Sequence, residues 1–311
     1  MTINWKQEVE DRKEDLLNDL VELLKVKSER EDDKVTADAP FGPGPRDALL
    51  HMLAYGERDG FVVKNVDNYA GHIEYGDGDE ILGIFGHMDV VPAGDGWDTD
   101  PYVPVIKDNK IYARGSSDDK GPSMAAYYGL KIIKELGLPV SKKIRFVVGS
   151  DEESTWKDMD YYFEHEEMPD FGFAPDAEFP IINGEKGNVS IAPHFESTNG
   201  GSYELRHFKA GLRPNMVPQD AIATIVTPSN EAATALKTAF EAYIAANPIS
   251  GTADVIGEKV EIKLIGKSAH GANPQSGINA ATYLAVFLQD FDFGGGAKNF
   301  IATASHVHLD V

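Results

Sequence analysis

Leu16, Leu17, Leu20, Val21, Leu23, Leu24 and Val26 recur at helical spacing, so residues from about 5 to 27 predict one amphipathic helix. Residues 38–46 are rich in Pro and Gly and predict a loop, with a helix from about 46 to 58 behind it. Short apolar runs at 61–63, 81–85 and 144–148 predict strands. Between the last two, Met124, Ala125, Tyr128, Leu130, Ile132, Ile133 and Leu136 predict a buried helix over 122–136, opened by Pro122. Strands that alternate with helices imply an α/β domain with a largely parallel sheet. Their near-continuous apolar runs imply helices on both faces of that sheet.

The pattern changes near Gly184–Gly187. Beyond it the predicted strands alternate apolar and polar positions, as half-exposed antiparallel strands do. They are 189–192, 221–226 and 260–265, with helices over 230–246 and 277–290. The reading is therefore two domains, 1–186 and an α+β domain over 187–311. No internal repeat is evident.

Composition narrows the partners. With 51 acidic and 29 basic residues the chain carries a formal charge of −22, which argues against a nucleic-acid partner. It contains no cysteine, so any transition metal must bind through His, Asp and Glu. Residues 1–8 show no basic stretch leading into an apolar run, and no segment approaches the length of a membrane span. No signal peptide, no membrane partner and a cytoplasmic location are the expectation.

Four clusters carry chemistry, and three follow a predicted buried strand. His87 and Asp89 follow the strand 81–85 and point to one side in extended chain. A metal-bound imidazole usually gives its other N–H to a carboxylate, and Asp89 is placed to receive it. Asp118 and Asp119 precede the helix at 122. Asp151, Glu152 and Glu153 follow the strand 144–148, and two adjacent glutamates allow one ligand and one general base. Asp176 follows the apolar residues 171–173. Each alone has a plainer reading as a surface pair, a helix start, a solvated acid or a turn. Together they fall where strand ends line the crevice of an open α/β sheet. The site is hard and oxygen-rich, suited to zinc, cobalt or manganese. Shared carboxylates allow two ions about 3.5–4 Å apart. In the second domain His270 ends the strand 260–265, and Asn215 sits in a turn sequence.

Taken in order, Gly86 to Val91, Asp118 to Gly121 and Asp151 to Glu153 resemble the zinc-dependent exopeptidase family of glutamate carboxypeptidases, aminoacylases, succinyl-diaminopimelate desuccinylases and dipeptidase V. The likeness covers nearly the whole chain. It is similar to the dipeptidase V branch at Gly94 to Trp97, Ser116 to Pro122, Ser154 to Trp156 and Phe173 to Pro180. The resemblance implies two zinc ions per active site in the intact enzyme, Co2+ or Mn2+ serving in their place, and a ferredoxin-like lid as the second domain. It implies that His87 and Asp176 hold the first ion, that Asp118 bridges both, and that Glu153 holds the second. Asp89 orients His87, and a cis peptide joins Asp118 to Asp119. Glu152 is the general base, His270 stabilises the oxyanion, and Asn215 lines the substrate pocket. The substrate would be a small peptide.

One departure stands out. In the family the second zinc takes a histidine from a C-terminal segment beyond the lid, and family members are longer than this chain. His306 and His308 would replace it only by a large rearrangement, because residues 306–311 predict a lid strand. The expectation is a truncated product with exposed apolar surface and unpaired strand edges. The leading function is hydrolysis of unblocked dipeptides. The alternatives are deacylation of N-acyl amino acids by the same site, or an inactive metal-binding fragment. The sequence leaves the oligomeric state open.

Overall fold

The leucine-rich N-terminal stretch folds as two helices, α1 (Trp5–Asp11) and α2 (Lys13–Leu24), rather than one. Only α2 is held to a core, through Leu20, Leu23 and Leu24; α1 buries nothing. The ladder breaks at Arg12, whose guanidinium instead bridges Glu8 at 2.9 Å and Glu135 at 2.6 Å. The computed structural model describes residues 3–94, 96–177, 181–184, 186–187, 189–198 and 200–306. The chain forms two compact units, Met1–Asn183 and Gly184–Val311.

In the first unit α3 (Pro43–Arg58) begins earlier than its apolar pattern, because Pro43 suits a first helical turn and Gly42 takes a φ of 99° before it. Then follow β1 (Val62–Val66), β2 (Ala70–Tyr75), β3 (Ile81–His87), a hairpin of β4 (Val105–Lys107) and β5 (Lys110–Tyr112), α4 (Lys120–Glu135), β6 (Lys143–Gly149), α5 (Lys157–His165) and β7 (Phe171–Phe173). The main sheet has the order β1-β2-β6-β3-β7. Only β2 runs against the others, so the sheet is mostly parallel. One face packs Ile84, Phe146 and Val148 under α2, α3 and α4, and the other packs Val147 against Tyr162 of α5. Helices therefore cover both faces. The edge strand β7 leaves Phe171 and Phe173 exposed. The parallel register places His87 opposite Gly149 and Ile84 opposite Phe173, so β3, β6 and β7 all end at one rim.

The second unit contains β8 (Glu204–Ala210), β9 (Asp220–Val226), α6 (Asn230–Ala245), β10 (Ser250–Ile256), β11 (Lys259–Ile265), α7 (Ala280–Leu288) and α8 (Gly295–Ala304). Its sheet is antiparallel in the order β10-β11-β9-β8. Ile225, Ile262 and Leu264 face one side and bury against Leu236 and Phe240 of α6 and Leu284 and Leu288 of α7. The β-α-β-β-α run from β9 to α7 is ferredoxin-like α+β.

A further expectation changes. Residues 189–192 form no strand, and Val189 and Ile191 are 82% and 83% exposed. Alternation alone does not make a strand when no neighbour supplies hydrogen bonds and a buried face. His306 lies in the turn that closes α8, and residues 307–311, including His308, fall outside the described residues, as do Asp95 and Glu178 to Pro180. No described helix is long and apolar enough to cross a membrane.

Candidate metal centre

His87 is the last residue of β3 and is 2% exposed. Gly86 before it is obligatory, since a Cβ there would lie 2.0 Å from the Ser123 hydroxyl and 3.0 Å from Asp119 Oδ2. The missing side chain lets the start of α4 sit directly on β3. Asp119 Oδ2 then accepts the His87 backbone N–H at 3.1 Å and the Ser123 hydroxyl at 2.7 Å. The Asp118–Asp119 peptide is cis.

Four carboxylates meet the His87 ring. Its Nε2 lies 3.1 Å from Asp118 Oδ1, 3.5 Å from Asp176 Oδ2 and 3.7 Å from Glu152 Oε2. Donor atoms of His87, Glu152 and Asp176 lie within 4.8 Å of one another, and so do those of His87, Asp118 and Glu153. The structure thus brings together all five residues at which the sequence placed metal ligands or the general base. The other ring nitrogen, Nδ1, lies 3.0 Å from the Asp89 carbonyl and 3.3 Å from its carboxylate.

Asp89 does more than the sequence suggested. Its carboxylate accepts the backbone N–H groups of Glu152 and Glu153, both at 3.1 Å. One buried side chain therefore sets the imidazole and the turn that carries the two glutamates. Behind that turn Asp158 Oδ2 accepts the N–H groups of Ser150 at 2.7 Å and Asp151 at 3.0 Å. Asp151 is itself bonded by Arg30 and Thr155. Lys120 is fully buried, its Nζ donating to the carbonyls of Leu23 and Val26. Lys120 and Asp151 sit inside motifs the sequence singled out, but nothing in their spacing announced these partners. Arg30 and Asp158 carried no signal, because their partners are distant in sequence or are backbone groups.

The electrostatics suit a cation. Burial and the neighbouring acids push Glu152 up to about 7 and Glu153 up to about 8. Burial likewise raises Asp119 to about 7. Burial opposes charge on His87, yet its bonds to Asp118, Asp176 and Asp89 raise it well above the usual imidazole value. Acids gathered in this way around one imidazole are the surroundings that a divalent cation would neutralise. Imidazole and carboxylate donors without thiolate match zinc, cobalt or manganese.

His270 and Asn215 lie in the second unit. The Gly271 N–H donates to the Asn215 carbonyl at 2.6 Å, and His270 pairs with Met216 in an isolated bridge. The His270 side chain is exposed, and its Nδ1 accepts the Ala272 N–H at 3.1 Å. Beside them is an open cavity of about 600 Å³, lined among others by Arg213, Met216, Val217, Gly271 and Thr282.

Comparison with known proteins adds to this geometry. The Beta-Ala-Xaa dipeptidase of Lactobacillus delbrueckii subsp. lactis is 45% identical over 303 residues, which are 97% of this chain and 64% of the relative. The chain thus spans just under two thirds of that relative's length. Among solved structures, human carnosine dipeptidase 1 is 23% identical with a TM-score of 0.45, covering 68% of this chain and 46% of its own. The di-peptidase Dug1p from Saccharomyces cerevisiae is 21% identical with a TM-score of 0.43, covering 51% of this chain and 36% of its own. The signature of peptidase family M20/M25/M40 matches residues 83–288, a span that opens just before His87 and takes in Asp118, Glu152, Glu153, Asp176 and His270. With well over half of its residues inside that match, this chain belongs to peptidase family M20/M25/M40.

Proposed function

We propose that the chain carries the metal centre of a dinuclear zinc dipeptidase acting on unblocked dipeptides, with β-Ala-Xaa dipeptides among them. The observation that carries the reading is the convergence of Asp118, Glu152, Glu153 and Asp176, from two strand ends and one helix start, on the buried imidazole of His87 at the end of a third strand. The identity to the Lactobacillus relative supports the dipeptide substrate.

His87 and Asp176 would hold the first ion, Glu153 the second, and Asp118 both. Bound there, the ions supply Lewis acidity and lower the pKa of water toward about 7. Glu152 takes the proton of the attacking water at its carboxylate and passes it to the departing amine. Asp89 fixes the ring of His87 and the backbone of the Glu152–Glu153 turn, so that ligand and base keep their spacing. His270 supplies a donor to the carbonyl oxygen as negative charge develops, and Asn215 lines the substrate pocket. The domain carrying the donors is the catalytic one, and the ferredoxin-like domain is the lid.

The test pairs zinc per chain, by mass spectrometry at pH 7 on protein of verified mass, with hydrolysis of β-Ala-Xaa dipeptides and of N-acetyl amino acids. Zinc uptake with cleavage of the dipeptides alone is the expected result. Cleavage of the N-acetyl substrates instead would make the same site a deacylase. Uptake with no hydrolysis would end the peptidase reading for this chain, and no uptake would end the metal centre itself.

A further inference from the structure

From the last turn of α2 to residue 30 the chain leaves the helix and becomes irregular, yet it touches three of the four loops that bear the metal donors. At its start, the carbonyls of Leu23 and Val26 receive the buried Lys120 ammonium at 3.3 and 2.7 Å, two residues beyond Asp118. In the middle, the Ser28 hydroxyl donates to the Met88 carbonyl at 2.6 Å, and the Ser28 carbonyl accepts the Val90 N–H at 3.1 Å. Those bonds flank Asp89. Glu29 continues the contact, its Oε1 accepting the Ala93 N–H at 3.1 Å. At its end, Arg30 Nη1 bonds Asp151 and lies 3.2 Å from the Thr155 hydroxyl, on either side of Glu152 and Glu153.

Ser28 is fully buried and Asp151 is 1% exposed, so the Ser28–Met88 bond forms where water does not compete and the Arg30–Asp151 pair is shielded on its carboxylate side. The segment is also backed from outside, since the Lys27 carbonyl lies where a Cβ on Gly44 of α3 would be, at 2.2 Å. We propose that residues 23–30 form a strap that sets the spacing of the His87–Asp89, Asp118 and Glu152–Glu153 loops, with Ser28 and Arg30 as positioning residues of the metal centre. This rests on the metal-centre reading above. The bonds named above end on the backbone of the donor loops or on residues that flank the donors. It fixes the backbone from which each donor projects, as outer-shell partners of metal ligands do.

Two variants on different loops test it: Arg30→Met, with Arg30→Lys as the conservative rescue, and Ser28→Ala. Each is loaded with Co2+. The visible spectrum of the bound cobalt, cobalt affinity by chelator competition, and amide hydrogen exchange over residues 150–157 without metal are then read against the parent chain. The expected result is an altered cobalt spectrum and a loss of affinity of about 10- to 100-fold in Arg30→Met, the range for outer-shell partners. Faster exchange over 150–157 should accompany it, with substantial recovery in Arg30→Lys. Ser28→Ala should show a smaller loss of the same sign, with exchange over 150–157 unchanged. Cobalt bound with the parent's spectrum and affinity by both Arg30→Met and Ser28→Ala would overturn the strap while leaving the metal centre standing. A parent chain that binds no cobalt would overturn both, and that result is visible before any variant is made.

Discussion

The two units bury different things. Among the described residues, the buried Asp, Lys, Arg and His side chains are His72, His87, Asp89, Asp119, Lys120, Arg145, Asp151 and Asp158, and all belong to the first unit. Among the described residues, the buried polar residues of the second unit are Thr227, Thr282 and Ser305, within a core of aliphatic and aromatic residues. A buried charge costs several kcal/mol unless it is paired and hydrogen-bonded. In the first unit His87, Asp89, Asp119, Lys120, Asp151 and Asp158 meet that cost at or just behind the rim where three parallel strands end. His72 and Arg145 lie within the sheet and pair with Tyr162 and Glu74, and the antiparallel sheet of the second unit has no such rim. The contrast locates the chemistry without reference to any relative.

The comparison breaks first at Glu152. In the proposed mechanism Glu152→Gln removes the proton acceptor but keeps an oxygen donor and nearly the same volume. Dipeptide turnover should fall by about 10³-fold, within the range for a general base, with zinc content unchanged. Zinc lost in parallel would make Glu152 a ligand, and activity retained would move the base elsewhere.

The next effect belongs to the second unit. Phe240 is fully buried on α6, its ring 5.3 Å from that of Phe287. Phe240→Ala should cost about 3–5 kcal/mol of stability by denaturant unfolding, from lost burial and the cavity left behind. Zinc uptake by the first unit should be unaffected. If uptake fell with stability, the two units would not be the separate cores that their buried residues describe.

The smallest effect is on pH dependence. His72 is buried on β2 with its Nδ1 2.7 Å from the Tyr162 hydroxyl, and burial, then Arg145, lowers its pKa from 6.5 to about 4. The folded form holds His72 neutral while the unfolded chain protonates it near 6.5. Its contribution is therefore fully present above about pH 6.5 and is lost as pH falls toward 4. Subtracting the stability–pH curve of His72→Phe from that of the parent should give a difference that slopes through this window. A flat difference would mean that His72 gains no protection from burial, which would weaken the contrast between the units.

Legibility followed the kind of signal each element carries. α4, β3, β6, β9 and β11 have strong apolar periods and fall close to where the pattern put them. β2 was not legible, because His72 and Glu74 interrupt its pattern although Ala70 to Ile73 are all buried. β8 and β10 are mostly polar or small and gain their place from β9 and β11, not from their own residues. At the site, residue type and strand-end position marked His87, Asp118, Glu152, Glu153 and Asp176 as candidates. They did not mark Arg30, Ser28 or Asp158, which act through backbone groups or on residues far away in sequence.

The sequence by itself determined the fold class, because apolar period is a local property that each strand and helix carries within itself. It also determined which side chains are chemically able to hold a hard cation, since that depends on residue type. Only the tertiary structure decided that these side chains face one imidazole, that Asp89 grips two backbone N–H groups as well as a ring, and that a segment from the N-terminal helix ties three loops together. Apart from the Asp89–His87 pair, those relations join residues 31 to 121 positions apart. Their energies depend on distance and burial, which exist only once the β3, β6 and β7 ends share one rim.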